Sequence, residues 1–356
     1  MTSEFSARLL AWHKGHGRHD LPWQGTRDAY RIWVAEIMLQ QTQVSAVIPY
    51  YLRFLQRFPD IAALAGAPQD EVLRLWSGLG YYSRARNLQR AAQLVVERRG
   101  SAFPRALGDI EALPGIGRST AAAIAAFAYG TRAAILDGNV KRVLARHFAV
   151  AGSPGEKRVE NRLWQLAEEQ LPPRAIGRYT QAIMDLGATL CTRSKPACAD
   201  CPLAASCQAL ALGRVRDFPA PRPLRPVPTR ATHMLLLVRN GELLLEKRPP
   251  SGIWGGLWSL PEIDAAARAT AHCRTHYGCS IAAPQPLAPL AHGFTHFKLQ
   301  IQPLLCRVEK LAPSAREPGQ IWLSLEEAHG AAIPVPVRKL IERLLGTSFP
   351  VRQVQR

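Results

Sequence analysis

The chain has 356 residues, 47% of them hydrophobic and 20% charged. That balance excludes collagen-like, coiled-coil and wholly disordered architectures, and the length suits about two domains that need no disulfide staple. Against 27 Asp and Glu stand 45 Lys and Arg, a net charge of +18 that points to a polyanionic partner. The first ten residues carry Glu4 and no apolar core after a basic stretch, so no secretory leader is read. Nor does any run approach the ~18 consecutive apolar residues of a membrane helix. The expectation is a cytoplasmic protein without a membrane partner. In a reducing compartment its seven cysteines signal metal binding or buried thiols rather than disulfides.

From Phe5 to about Leu212 apolar residues recur at helical spacing, punctuated by Gly66, Pro68, Gly78, Gly100, Pro104, Pro114 and Pro172-Pro173. This predicts many short helices. The stretch Ile32 to Leu39 would be apolar all round as a helix, yet Glu36 sits in its middle. The ordinary alternative is an outward-facing Glu in a polar seam with Gln40 and Gln43. A partly desolvated Glu would have a raised pKa and could donate a proton near neutral pH. Farther along, Leu113-Pro114-Gly115-Ile116-Gly117-Arg118-Ser119-Thr120 leads into an Ala-rich helix beginning near Ala121. Its two glycines allow close backbone approach, and the helix N-terminus suits a nucleic-acid phosphate. The plainer reading is a tight turn with Ser119 or Thr120 as N-cap. Asp137 opens a helix expected over Val140 to Phe148, where it would stay ionised, cap the helix and stabilise a developing cation. One acid and one anion form a glycosidic-bond toolkit.

Cys191, Cys198, Cys201 and Cys207 follow in a C-x6-C-x2-C-x5-C pattern. Zinc favours separated C-x2-C knuckles or Cys/His mixtures, so this compact all-Cys run fits a [4Fe–4S] cluster better. Lys195, Arg193 and Arg214 flank it and offer a basic face. Cys273, Cys279 and Cys306 have no such spacing and are expected on a helix and at its exit. Between Gly213 and Thr232 the periodicity gives way to a proline-rich stretch read as an extended linker. His233 to Arg239 and Glu242 to Arg248 are expected strands joined at Asn240-Gly241, a type I′ hairpin pair.

Five segments in order, namely Ala35 to Gln43, Gly78 to Asn87, the hairpin at Leu113, Leu136 to Val140 and the four cysteines, resemble the helix-hairpin-helix DNA glycosylases, and within them the adenine DNA glycosylases. The resemblance implies an all-α helix-hairpin-helix glycosylase with a [4Fe–4S] cluster loop, followed by an α+β Nudix-like domain. The helical domain would span 1–213, with a six-helix module at about 25–131 and an iron–sulfur module made of 1–24 and 132–213. A linker at 214–231, a Nudix-like recognition domain at 232–350 and a tail at 351–356 complete the expectation.

The substrate implied is adenine mispaired with 8-oxoguanine or guanine in duplex DNA, flipped into a pocket. Glu36 would be the acid that protonates adenine N7, and Asp137 the carboxylate that stabilises the oxocarbenium-like sugar. By position, Trp23 and Gln181 resemble pocket residues, while Gln41 and Tyr81 resemble residues inserted beside 8-oxoguanine. Gln40, Tyr82, Arg84, Arg86, Leu113, Gly115, Gly117, Arg118, Ser119 and Lys141 complete the expected DNA-contacting set, with Arg84 and Arg86 on phosphate. One of Tyr81 and Tyr82 is expected only to pack. Phe294-Thr295-His296 matches the loop that reads 8-oxoguanine, with Thr295 in place of the usual Ser. Between Ala265 and Pro284 there is no Asp or Glu to hold magnesium, so Nudix hydrolysis is not expected.

Endonuclease III-like relatives carry a nucleophilic Lys at the position of Ser119, so a monofunctional enzyme is expected, with Lys141 the residual candidate for lyase chemistry. A bifunctional glycosylase/lyase and a non-catalytic DNA-binding protein are the alternatives. The protein is expected to be monomeric with no obligate protein partner.

Overall fold

The computed structural model describes residues 3–220, 226–312 and 319–346. It divides into two compact units, Met1–Gly66 with Asn87–Leu224 and Ala67–Arg86 with Arg225–Arg356. The expectation of a helical domain unbroken from 1 to 213 therefore differs at 67–86, a segment the compact units group with the C-terminal part of the chain. The hydrogen bonds of that segment say why: Asp70 accepts from Trp258 Nε1 at 3.0 Å and pairs with Lys247, and Ser77 donates to the Ile333 carbonyl at 2.7 Å.

In chain order the helices of the N-terminal two thirds are α1 (Glu4–His16), α2 (Ala29–Leu39), α3 (Val44–Arg57), α4 (Ile61–Gly66), α5 (Gln69–Trp76), α6 (Ser83–Arg99), α7 (Leu107–Glu111), α8 (Arg118–Tyr129), α9 (Gly138–His147), α10 (Lys157–Glu169), α11 (Ile176–Thr189) and α12 (Gln208–Ala211). Asp28 starts α2 by accepting from the Tyr30 N–H at 2.9 Å. Ile32, Trp33, Val34, Ala35, Ile37 and Met38 are all buried, so α2 is enclosed on nearly every side, as its all-round apolar sequence requires. It packs on α8, whose run of buried alanines lets the two helices approach closely.

Helix α8 begins at Arg118, three residues before the expected start, and its N-cap is Gly117 rather than Ser119 or Thr120. Helix α9 begins at Gly138 because the Asp137 side chain caps it, accepting from the Val140 N–H at 2.8 Å. Helix α11 crosses α9 where a Cβ on Gly187 would lie 2.6 Å from the Asn139 Cβ, so only glycine permits that approach beside the cap.

The second unit holds a mixed sheet. Its strands are β1 (Thr229–Arg239), β2 (Glu242–Lys247), β3 (Trp258–Ser259), β4 (Glu262–Ile263), β5 (Cys279–Ile281), β6 (Gln285–Pro286), β7 (Leu290–Gly293), β8 (Lys298–Leu311) and β9 (Gln320–Ser324). Helix α13 (Ala269–Tyr277) precedes β5, and α14 (Leu325–Gly330) and α15 (Val335–Gly346) close the described chain. Strand order is β3-β2-β1-β8-β5, with β1 parallel to β8 from Thr229↔Lys298 to Val238↔Arg307. Asn240 and Gly241 both take positive φ, 50° and 82°, as a type I′ turn demands.

The proline-rich stretch ends sooner than its composition suggests, because backbone pairing with β8 draws residues from Thr229 onward into β1. Residues 221–225 of the expected linker and the expected tail at 351–356 lie outside the described residues. Cys273, Cys279 and Cys306 are buried with Leu235, Leu237 and Tyr277 in the core between α13 and the sheet.

Candidate functional site

Glu36 projects from the enclosed helix α2 but stays half-buried, with a face still open to solvent. Burial pushes its carboxyl up to about 8, and the nearby Asp137 charge adds to the rise. Asp137 is also half-buried, and burial raises it too. Several groups oppose that rise: hydrogen bonds from the Val140 and Asn139 backbone and the charge of Arg142, itself hydrogen-bonded to Asn139 Oδ1 at 2.7 Å. One proton shared between two nearby carboxylates settles on the one with fewer donors. Of the two, Asp137 has the donors that favour a carboxylate, and Glu36 has only burial and the Asp137 charge acting on it. Burial outweighs these groups, so the Asp137 carboxyl stands above the ordinary aspartate value, an effect that the sequence does not reveal.

The raised Glu36 has a consequence for stability. Between its ordinary value of 4.5 and about 8 the folded protein holds a proton that the unfolded chain has released, so stability falls as pH rises through that window. Glu36→Gln removes this loss, which grows by about 1.4 kcal/mol for each pH step of one within the window. In thermal melts without DNA, the variant is expected to gain on the wild type from pH 5 to pH 9. A melting difference that does not change with pH would show an ordinary Glu36.

Ser119 does not cap α8; its hydroxyl accepts from the Leu136 N–H at 2.9 Å, tying the hairpin to the residue before Asp137. Lys141 Nζ lies 2.8 Å from Glu160, whose carboxyl it holds below the usual range. A lysine amine engaged by a carboxylate is less available as a Schiff-base nucleophile.

On α11 the Gln181 amide donates to Asp185 Oδ1 at 2.8 Å. Asp185 is fully buried and also accepts from the Arg18 backbone N–H at 2.9 Å and Nε at 2.7 Å. With its NH2 group so engaged, Gln181 offers its oxygen as an acceptor. Sequence reasoning missed Asp185 and Arg18. The available signal was the i, i+4 spacing of Gln181 and Asp185, with Asp185 an acid inside an apolar helix like Glu36. Trp23 is buried edge-on to Tyr51, with ring centroids 5.4 Å apart.

In the hairpin Gly115 has φ +80°, and a Cβ there would meet the Asn87 Cβ at 2.9 Å. Gln40 braces the turn by donating to the Gly115 carbonyl at 3.4 Å and to Thr120 Oγ1 at 3.3 Å. Leu113 is half-buried, Gly115 and Gly117 are exposed, and no side chain caps α8, so its first-turn amides suit an anion. Arg118 lies 3.9 Å over the Trp164 ring and is paired with Glu168. Gln41 is exposed and strained at φ +57°.

In the second unit Tyr81 is also left-handed at φ +50°, and 44% of its surface is exposed. Tyr82 is the packing member of the pair, buried, with its hydroxyl accepting from the Gly78 N–H at 3.3 Å. Arg84 and Arg86, expected on phosphate, are engaged by neighbouring groups of their own unit. Arg84 is buried against the Trp76 and Tyr81 rings, donates to the Leu79 and Gly80 carbonyls and is pushed down by burial to about 10. Arg86 donates to the Gly255 carbonyl. Both guanidiniums serve as props for the surrounding turns because carbonyls and rings lie within their reach.

Thr295 Oγ1 lies 2.7 Å from the Tyr81 hydroxyl, bringing together two residues 214 positions apart. Phe294 stacks on Phe297 with centroids 4.3 Å apart and leans on the buried Trp254, leaving Thr295 and His296 exposed.

Cys191, Cys198, Cys201 and Cys207 are half-buried; burial pushes the Cys201 thiol up, and the charges of the other three, which lie near it, add to the rise. Among the described residues no three His, Cys, Asp or Glu side chains converge on one ion. A four-iron cluster asks for a different arrangement, one thiolate on each iron. The Arg142 Nε donates to the Cys191 carbonyl at 2.7 Å, so one side chain joins the cysteine loop to the Asp137 cap.

Comparison with known proteins finds relatives for both parts of the chain. Residues 34–169 match the HhH-GPD superfamily of base excision DNA repair proteins, and residues 233–343 match the NUDIX domain. The solved thermostable thymine-DNA glycosylase is similar at 30% identity and a TM-score of 0.54, over 58% of this chain and 95% of that one. The adenine DNA glycosylase of Buchnera aphidicola subsp. Acyrthosiphon pisum is 35% identical, covering 97% of this chain and 99% of its own. The adenine DNA glycosylase of Homo sapiens is 34% identical, covering 94% and 73%. A likeness that runs through both units and nearly the full length of a relative places the chain: it belongs to the adenine DNA glycosylase family.

Proposed function

We propose that the protein excises adenine opposite 8-oxoguanine or guanine in duplex DNA as a monofunctional glycosylase. The observation that carries this reading is the pair of carboxylates: Glu36, raised to about 8 by burial, beside an Asp137 held by backbone donors. Adenine would be flipped from the stack, since half-buried carboxylates do not reach a base that stays within the duplex. Protonation of N7 by Glu36 turns the base into a leaving group. As the C–N bond breaks, Asp137 stabilises the positive charge on the sugar, and water completes the reaction to give free adenine and an abasic site.

Selectivity for adenine is supported by Gln181. With its NH2 group donated to Asp185, its oxygen is left for a donor such as the exocyclic amine of adenine. Guanine presents a carbonyl at the equivalent position, and two acceptors would face each other. Trp23 would wall the pocket. Gln41 and Tyr81, both exposed in left-handed backbone, would enter the duplex, and Thr295 and His296 would read the base opposite adenine. The uncapped start of α8 would hold a phosphate. Monofunctional action is supported by Ser119, which has no amine, and by Lys141, held by Glu160.

Cys191, Cys198, Cys201 and Cys207 would hold a [4Fe–4S] cluster. Bound there, it would supply charge and order to a basic loop carrying Arg193 and Lys195. The buried guanidinium of Arg146, 3.3 Å from Cys191 Sγ, supports the fit.

The test is single-turnover incubation with an end-labelled duplex bearing one adenine opposite 8-oxoguanine, sampled with and without hot alkali. Strand breaks only after alkali are expected. Breaks without alkali would overturn monofunctional action, and tight binding with no breaks in either sample would overturn the enzymatic reading.

A further inference from the structure

Arg146 sits on the last turn of α9 with 2% of its surface exposed. A buried cation needs a counter-charge, because desolvation costs several kcal/mol that only pairing and hydrogen bonds offset. Its Nε donates to the carbonyls of Val215 at 3.1 Å and Phe218 at 2.9 Å. One terminal nitrogen donates to the Thr192 carbonyl at 2.7 Å and to Cys191 Sγ at 3.3 Å, and the other to the Arg193 carbonyl at 3.1 Å. Its own carbonyl lies 3.6 Å from Cys207 Sγ. Four of these five acceptors are neutral carbonyls. In this set the Cys191 sulfur alone can carry negative charge.

We infer that Arg146 is the buried counter-ion of the iron–sulfur cluster and sets its reduction potential through the hydrogen bond to Cys191. The inference rests on the cluster proposed above. Hydrogen bonds to the sulfurs and the net charge around a cluster govern its potential. A guanidinium on a cluster thiolate withdraws electron density and favours the more negative, reduced form. Arg193 and Lys195 belong to the same loop but are exposed, so water and salt screen them. Arg146 is therefore a positioning and tuning residue, with no contact to the reacting base.

The test uses purified holoprotein, with iron content and visible absorption measured first. The cluster is then oxidised by one electron with ferricyanide in a mediated titration followed by electron paramagnetic resonance. In Arg146→Met the midpoint is expected to fall. Arg146→Lys, which keeps the charge without the planar fork, is expected to shift less, and Arg193→Ala not at all. Both Arg146 variants lose carbonyl hydrogen bonds and should melt earlier, so the midpoint is the reading that a merely structural role would not move.

Should Arg146→Met not fold, arginine-selective 15N labelling of the wild type keeps the question open to measurement. A 15N hyperfine coupling to the oxidised cluster, absent in Arg146→Lys, is the expected result. A midpoint in Arg146→Met no lower than in Arg193→Ala, or no such coupling in the wild type, would overturn the role of Arg146. Wild type without iron would overturn the cluster itself and leave Arg146 an internal brace.

Discussion

Glu36→Gln is expected to slow adenine release by roughly 10²–10⁴-fold, the range of a general acid, while leaving duplex affinity within a few-fold of wild type. The amide keeps the size of the side chain and a polar tip at the half-buried position on α2, so the pocket is not emptied. It cannot deliver a proton to N7. Single-turnover rates and equilibrium binding on the same duplex separate the two effects. In the wild type the rate should fall above pH about 8, as Glu36 loses its proton. That alkaline limb should vanish from the residual activity of the variant. Full activity in Glu36→Gln would remove the acid from the mechanism.

Asp137→Asn should lower the rate by about 10²–10³-fold, the usual loss when one preorganised electrostatic partner of a transition state is removed. Asparagine caps a helix about as well as aspartate. The Val140 N–H thus keeps an acceptor, and the melting temperature should stay close to wild type. Rate and thermal stability measured together distinguish the two jobs of this side chain. An unchanged rate would reduce Asp137 to a helix cap. A fall in rate matched by a large loss of stability would mean that the variant damages the fold of α9 rather than the chemistry.

The two carboxylates were legible in the sequence for different reasons. Glu36 stands out because an acid in an all-round apolar helix contradicts its neighbours, and such contradictions mark functional or strained positions. Asp137 is visible as a cap residue at a helix start. Its second role depends on what faces it, and that is set by the crossing of α11 at Gly187 and by Arg142 and Asn139. The arginines show the opposite case. Arg84 and Arg86 read as phosphate ligands from charge and neighbourhood alone, yet carbonyls and rings engage them. A long cationic side chain reports its charge in the sequence, but its partner is a matter of reach.

What the sequence determined by itself was local chemistry. Apolar period, the Asn240-Gly241 turn, the glycine hairpin and the four-cysteine spacing each rest on residues of one short stretch of chain, where backbone geometry leaves few options. The tertiary structure decided the pairings across long separations. These include Ser119 with Leu136, Gln181 and Arg18 through Asp185, Tyr81 with Thr295, and Arg146 with the cysteine loop. Such contacts follow from how helices and strands pack. Burial then sets the pKa of Glu36 and the counter-charge that Arg146 requires, because desolvation is a property of the assembled surroundings and of no single stretch of chain.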